Sequence, residues 1–146
     1  MKSVFSCFVV LIAIIFQSCT TRSCDLPAEV RTLYFFGYTF DSLDSSLIIK
    51  TDSNNNIDTI HILSNTIFAS NGTDRYIVRL EPYLTAGSTY LIKTNNGKQF
   101  EIKDFEFNTV ECKESTFDRK EDVLRLGAVK VNGNRIACEG KLKFYP

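Results

Sequence analysis

The chain contains one histidine and five cysteines, residue types that often serve as bases, nucleophiles and metal ligands. His61 stands between Ile60 and Ile62, so in a β-strand it would point away from both isoleucines and into solvent. A Cys–His pair could form only if the fold brought His61 to a free thiol. The chain also lacks a Gly-x-Ser-x-Gly elbow and a glycine-rich phosphate loop. We therefore predict no catalytic residue, no metal site, no cofactor and no enzymatic activity.

Carboxylates are numerous but scattered along the chain. Residues 52–58 carry oxygen-bearing side chains with the spacing of a calcium loop, but Ile57 replaces the glycine that such a loop needs and Leu63 replaces its bidentate glutamate. We predict a polar hairpin loop instead. Other charged residues are predicted on the solvated face of one strand: Glu101, Lys103, Asp104 and Glu106. An acid pair of the glycosidase type, drawn from distant strands, stays open as an alternative.

One stretch places four aromatic residues at alternate positions: Tyr34, Phe36, Tyr38 and Phe40. Alternate side chains of a β-strand share one face, and we predict that this face packs into the core. A second interpretation is that its tyrosines form a platform for a sugar or a peptide, because tyrosine combines an apolar ring with a polar tip. The sequence identifies no other ligand-binding residues.

Short runs rich in β-branched and aromatic residues, each ended by turn residues, predict β-strands. They lie near residues 30–40, 46–50, 57–63, 74–81, 89–94, 98–107, 123–131, 135–139 and 141–145. Eight or nine short antiparallel strands favour an all-β fold, an immunoglobulin-like β-sandwich. A small β-barrel is the alternative.

Two Asn-Gly sequences predict hairpin turns of type I′, at Asn95-Asn96-Gly97 and Asn132-Gly133. Phe100 and Ile102 alternate out of phase with the two phenylalanines that follow them, at positions 105 and 107. A bulge near Lys103-Asp104 would restore all four to one face.

The first nineteen residues have the three parts of an export signal. Lys2 supplies a positive charge, residues 4–16 are almost wholly apolar, and the small residue Ser18 precedes Cys19. An apolar run of this length is too short for a permanent membrane span. We predict that residues 1–18 are a signal peptide, that residues 19–29 are a polar tether, and that residues 30–146 form one domain.

The sequence Phe16-Gln17-Ser18-Cys19 resembles the lipobox of bacterial lipoproteins. The resemblance implies that the mature chain begins at Cys19 and that Cys19 carries the lipid, including palmitate. By the same resemblance, Thr20 after the cysteine implies the outer membrane. The absence of an acidic run after it implies that the domain faces the periplasm.

Export places the cysteines in an oxidising compartment, where they are disulfide candidates. With Cys7 removed and Cys19 acylated, three cysteines remain, so at most one bridge forms within the chain. Cys112 and Cys138 lie in the predicted folded body, whereas Cys24 lies in the tether. We therefore predict a Cys112–Cys138 disulfide, with a bridge from Cys24 to either of them as the alternative.

Without residues 1–18 the chain carries a net charge of −1, because Lys2 is the only charged residue of that segment and the full chain is balanced. This balance offers no general attraction to nucleic acid, which is not predicted as a partner. We expect a membrane-tethered lipoprotein of the cell envelope with a non-enzymatic binding or structural β domain. Its partner would be an envelope protein or a glycan.

Two other functions stay open. Ala69-Ser70-Asn71-Gly72, followed by Arg75-Tyr76, resembles the Ser-Gly…Arg-Tyr stretch of one lysozyme-inhibitor family. This resemblance implies a periplasmic inhibitor of an envelope-attacking hydrolase such as lysozyme. The remaining alternative is a hydrolase whose carboxylates the sequence does not reveal.

Overall fold

The computed structural model describes residues 28–70, 75–112 and 121–146. Ten strands follow one another in this part of the chain: β1 (Val30–Phe36), β2 (Leu47–Asp52), β3 (Ile57–His61), β4 (Ile67–Ala69), β5 (Arg75–Leu84), β6 (Ser88–Lys93), β7 (Gln99–Cys112), β8 (Glu121–Val131), β9 (Asn134–Ala137) and β10 (Lys141–Phe144). A short helix, α1 (Phe40–Leu43), and a 3-10 turn (Ser64–Thr66) complete the described elements.

The strands form two open sheets, so the fold is the predicted all-β sandwich and not the closed barrel. The first sheet has four strands in the order β10-β1-β5-β4, and the second has six in the order β3-β2-β6-β7-β8-β9. Two details differ from the prediction. The strands number ten because β4 is an additional three-residue strand, and β10 runs parallel to β1 rather than antiparallel.

Both sheets contribute to one hydrophobic core. In the four-stranded sheet, Leu33 lies opposite Val78 on one side and Leu142 on the other, and all three are buried. The six-stranded sheet adds its own buried residues, among them Ile48, Tyr90, Ile92, Ile102 and Leu126. Because burying each large apolar side chain stabilises the fold by roughly 1.5–3 kcal/mol, this shared core holds the two sheets together.

The prediction for the alternating aromatic residues was wrong for three of the four. In β1 the core side chains are Leu33 and Phe35, and Tyr34 and Phe36 lie on the opposite face. The strand ends at Phe36, and the positive φ of 69° at Gly37 breaks the alternation. Tyr38 is therefore buried, whereas Phe40 in α1 is exposed. Both alternating sets of this strand are apolar, so period-two reasoning could not decide which set faces inward.

The Asn132-Gly133 turn is confirmed as type I′, since its two central residues have φ values of 49° and 80°. At the other hairpin only Gly97 has a positive φ, and its amide donates to the carbonyl of Thr94 at 2.9 Å. That turn is therefore not of type I′, because both of its central residues keep ordinary negative φ angles. Asp104 takes a φ of 52° at the predicted bulge, and Phe105 then packs against the core.

Two compact units are distinguished within the chain. The larger comprises Leu26–Val110 and Leu124–Pro146, and it contains the core described above. The smaller comprises Met1–Asp25 and Glu111–Val123, of which the structure describes only the ends of β7 and β8. Among the described residues, no helix is long and apolar enough to cross a membrane.

Candidate binding face

The outer surface of the four-stranded sheet combines aromatic rings with arginines and lysines. Because Leu33, Val78 and Leu142 point into the core, their neighbours along each strand point outward. We call this surface the Arg-aromatic face and define it by the residues that the strand pairings place there: Tyr34, Phe36, Phe68, Arg75, Ile77, Arg79, Lys141 and Lys143.

Arg75 lies across the rings of β1. Its guanidinium carbon is 5.3 Å from the ring centre of Tyr34 and 6.0 Å from that of Phe36. Nη2 of Arg75 donates a hydrogen bond of 2.7 Å to Oγ of Ser70, while its buried Nε has no acceptor within the described residues. The guanidinium is therefore held by cation–π contacts and one hydroxyl, not by a carboxylate.

A second arginine repeats this arrangement farther along β5. The guanidinium carbon of Arg79 is 5.0 Å from the ring centre of Phe68, which belongs to the neighbouring strand β4. Phe68 remains 43% exposed. At the other edge of this sheet, Tyr145 stacks on Phe36 with ring centres 5.0 Å apart and remains 62% exposed.

Lys141 and Lys143 add two further charges from β10. They lie opposite Thr32 and Tyr34 of β1, so they share the outward direction of Tyr34. Within the described part of the chain, neither lysine forms an ion pair, and the same is true of Arg75 and Arg79. The next acidic residue along β5 is Glu81, just beyond the face, where the pairing with β1 becomes irregular. As far as the described residues go, the face therefore carries four positive charges without an ion-pair partner.

The outer surface of the six-stranded sheet is built differently, because three of its cations have carboxylate partners. Lys103 contacts Glu101 at 2.7 Å, Lys130 contacts Asp104 at 2.9 Å, and Arg135 contacts Glu106 at 2.7 Å. The ammonium of Lys130 holds the pKa of Asp104 below its usual range, and Glu101 raises the pKa of Lys103. This surface is the solvated, salt-bridged face predicted from the sequence. The three ion pairs on this surface contrast with the unpaired cations of the Arg-aromatic face.

A groove of about 510 Å³ lies near the free edges of β9 and β10, and its lining includes Cys138, Lys141 and Lys143. Burial raises the pKa of this thiol, although the Gly140 amide partly offsets the shift. Arg125 forms an ion pair with Glu139 at the groove wall. His61 is exposed, as predicted, and it lies in β3, at the opposite edge of the six-stranded sheet. Cys138 and His61 therefore do not form a Cys–His pair.

The predicted Cys112–Cys138 disulfide is wrong. Cys112 is disulfide-bonded, but Cys138 is a free, buried thiol, so the two are not joined. Cys24 lies outside the described residues, as do Cys19, the residues 1–27 around it and Asn71-Gly72.

The segment with calcium-loop spacing satisfies its own carboxylate. Asp52 accepts hydrogen bonds from the amides of Asn54 and Asn56, both at 2.8 Å, and from Nδ2 of Asn56 at 2.9 Å. These bonds lower the pKa of Asp52, that from the Asn56 side chain most of all. The segment is the polar hairpin loop expected from the sequence. In the ranges that the structure describes, no group of three or more histidine, cysteine or acidic side chains is placed to hold a metal ion.

The sequence analysis identified Tyr34 and Phe36 but missed the residues that surround them. Arg75 and Arg79 are separated by Ile77 in an alternating pattern, and Lys141 and Lys143 alternate with Leu142 and Phe144. This pattern predicts an amphipathic strand, and only the sheet order brings the two pairs of cations to one surface. Comparisons with protein-family models, curated proteins and solved structures give no match to this chain.

Proposed function

We propose that this chain is a lipoprotein of the cell envelope whose β domain binds a ligand without transforming it, at the Arg-aromatic face. The lipid on Cys19 tethers it to the outer membrane, with the domain facing the periplasm. The signal-like residues 1–18 and the lipobox-like sequence before Cys19 support the tether. The binding role is supported by the Arg-aromatic face of the β domain, as argued from its charges and rings below.

One observation carries the binding role: Arg75, Arg79, Lys141 and Lys143 share a surface without a carboxylate partner among the described residues. Uncompensated like charges repel one another and reduce stability. A fold selected only for stability would pair them, as the six-stranded sheet pairs Lys130 and Arg135. An anionic ligand would supply the missing countercharge.

The aromatic rings support the same proposal. A guanidinium held against a ring loses less conformational freedom when it binds an anion than a freely moving side chain does. Arg75 and Arg79 are both held in this way, by rings from the adjacent strands β1 and β4. The face is therefore preorganised to bind.

The binding role can be tested by site-specific photocrosslinking in cells. A benzophenone amino acid replaces Phe68 on the face, and in a matched control it replaces Ile57, which is also exposed but belongs to β3. We expect adducts at position 68 that disappear when Arg75 and Arg79 are both changed to glutamine. Equal adducts at positions 68 and 57, or adducts insensitive to the two arginines, would contradict the proposal.

The tether needs a separate experiment. In detergent phase separation, the full-length protein should enter the detergent phase, and the Cys19→Ala variant should remain in the aqueous phase. Cys138→Ala is the matched control, because that cysteine is buried in the domain and should not affect partitioning. If Cys19→Ala partitions like the unaltered protein, Cys19 is not the anchor.

A further inference from the structure

We infer that the ligand of the Arg-aromatic face is an acidic polysaccharide, a glycan chain that carries repeated carboxylate or sulfate groups. The inference rests on the proposed binding role of this face. It follows from the spacing of the charges, the shape of the surface and the exposure of the aromatic rings.

The charges are spread too widely for one small anion. Arg75 and Arg79 are four residues apart in β5, which places their Cα atoms about 13 Å apart at ~3.3 Å per residue. Lys141 and Lys143 lie two strands away, about 10 Å across the sheet. A single carboxylate or phosphate cannot reach all four of these groups at once. A polymer with anionic groups at intervals can engage several of them together.

The shape of the face suits an extended chain. Small ligands bind in concave sites that bury most of their surface. The Arg-aromatic face is instead the outer surface of a sheet, with Tyr34, Ile77 and Phe68 side by side on three adjacent strands. A polymer can lie across such a surface and contact many side chains without a pocket.

The rings provide the contact that a sugar needs. At the two sides of the face Tyr145 is 62% exposed and Phe68 is 43% exposed, and each has one ring face covered, by Phe36 and by Arg79 respectively. The C–H face of a pyranose is apolar, so packing it on such a ring removes apolar area from water. The guanidinium groups beside the rings can then donate paired hydrogen bonds to a carboxylate or sulfate on the same sugar.

The same rings argue against single-stranded nucleic acid. Proteins that bind single strands stack successive bases on a series of aromatic rings, each of which must present an open face. On this surface Arg79 lies over Phe68, and Arg75 lies over Tyr34 and Phe36. A polysaccharide needs fewer ring faces, because its affinity comes mostly from paired charges.

The test measures binding of the full-length protein, in neutral detergent, to polygalacturonate and to heparin, with dextran as the uncharged control. We expect binding to at least one acidic polysaccharide and none to dextran. Raising the salt concentration from 50 to 300 mM should weaken binding by tenfold or more, because several ion pairs are broken. Oligo-dT and phosphatidylglycerol added to the micelles serve as competing anions of other classes.

Three double variants locate the site. Lys141→Gln with Lys143→Gln should weaken polysaccharide binding at least fivefold, and both lysines are exposed, so the fold should be kept. Lys130→Gln with Arg135→Gln removes the same charge from the six-stranded sheet and should change binding less than twofold. Arg75→Gln with Arg79→Gln should abolish binding, and thermal unfolding checks that this variant folds.

Four results would overturn the inference: no binding to either acidic polysaccharide, equal binding to dextran, tighter binding to oligo-dT or phosphatidylglycerol, or equal losses in the two lysine-containing variants. If polysaccharide binding is absent but the crosslinks at position 68 still depend on Arg75 and Arg79, the ligand class is wrong and the binding role stands. If those crosslinks are absent as well, both proposals fail.

Discussion

The amide of Glu101 donates a hydrogen bond of 2.7 Å to Oδ1 of Asn132, and the amide of Asn132 donates one of 2.9 Å to the carbonyl of Glu101. Asn132 thus forms the β8–β9 turn and also binds the backbone of β7. It does so with a positive φ of 49°, a conformation that asparagine tolerates better than most residues.

This dual role predicts an ordered pair of variants. Asn132→Gly keeps the positive φ but loses the side-chain acceptor, which should lower the free energy of unfolding by about 1 kcal/mol. Asn132→Ala loses the acceptor and also strains the backbone, for a total of about 2–3 kcal/mol. Urea denaturation measures both values. Equal values for the two variants would mean that the turn conformation contributes nothing.

Cys138 should be protected from thiol reagents in the native protein. Its thiol is 5% exposed and its pKa is raised by burial, so little reactive thiolate forms. We expect the Cys138 peptide to remain unmodified by maleimide under native conditions and to be fully modified in urea. Mass spectrometry of the peptides measures this directly. A Cys112–Cys138 cross-linked peptide under non-reducing conditions would restore the disulfide that the structure excludes.

Gly127 should be sensitive to substitution, because the side chain of Asn108 occupies the space that a Cβ would need. A Cβ at this position would lie 2.3 Å from Nδ2 and 2.9 Å from Cγ of Asn108. Gly127→Ala should therefore force the exposed Asn108 side chain out of its position and destabilise the protein by about 0.5–1.5 kcal/mol, even though alanine normally suits a strand better than glycine. In an Asn108→Ala background the same change should be neutral or stabilising. Unfolding curves of the unaltered protein, the two single variants and the double variant form a double-mutant cycle. Additive changes in the free energy of unfolding would show that the two residues do not interact.

The loop at Asp52 should lose its structure in acid. Hydrogen bonds from Asn56 and Asn54 hold the pKa of Asp52 below its usual range in the folded protein. The corresponding stabilisation is fully present above the pKa of an unfolded aspartate and is lost as the pH falls through the lower, folded value. The stability difference between the unaltered protein and Asp52→Asn should therefore shrink from pH 7 to pH 3. Amide NMR shifts of Asn54 and Asn56 follow the titration, and a midpoint at or above the usual aspartate value would contradict it.

Local signals predicted several features of the fold well. The type I′ turn at Asn132-Gly133, the break near Asp104 and the exposed His61 each depend on a few neighbouring residues, so sequence patterns suffice. The inward face of β1 was not predictable in this way, because Leu33 and Phe35 compete with Tyr34 and Phe36 for the core. Only the partners on β5 and β10 decide between the two sets.

The remaining features depend on contacts between distant segments. The three-residue strand β4 is too short to show a period. The pairing of Cys112 was predicted wrongly because the position of a cysteine near predicted strands does not show which cysteines meet in the fold. The Arg-aromatic face was missed for a related reason. Arg75 and Lys143 share one surface only because β5 and β10 pair with opposite edges of β1.

The parallel pairing of β1 with β10 also constrains the order in which the protein can mature. One edge of β1 pairs with β5, which follows it closely along the chain, but the other edge pairs with β10, which is the last strand. The nearby hydrogen bond from the Tyr38 hydroxyl to the Tyr145 carbonyl spans 107 residues. Contacts of such long range form late and slowly, because a large loop must close first. Lys141 and Lys143 arrive with this final strand. A chain still being synthesised therefore carries only two of the four positive charges of the Arg-aromatic face, and it gains the other two when this sheet is complete.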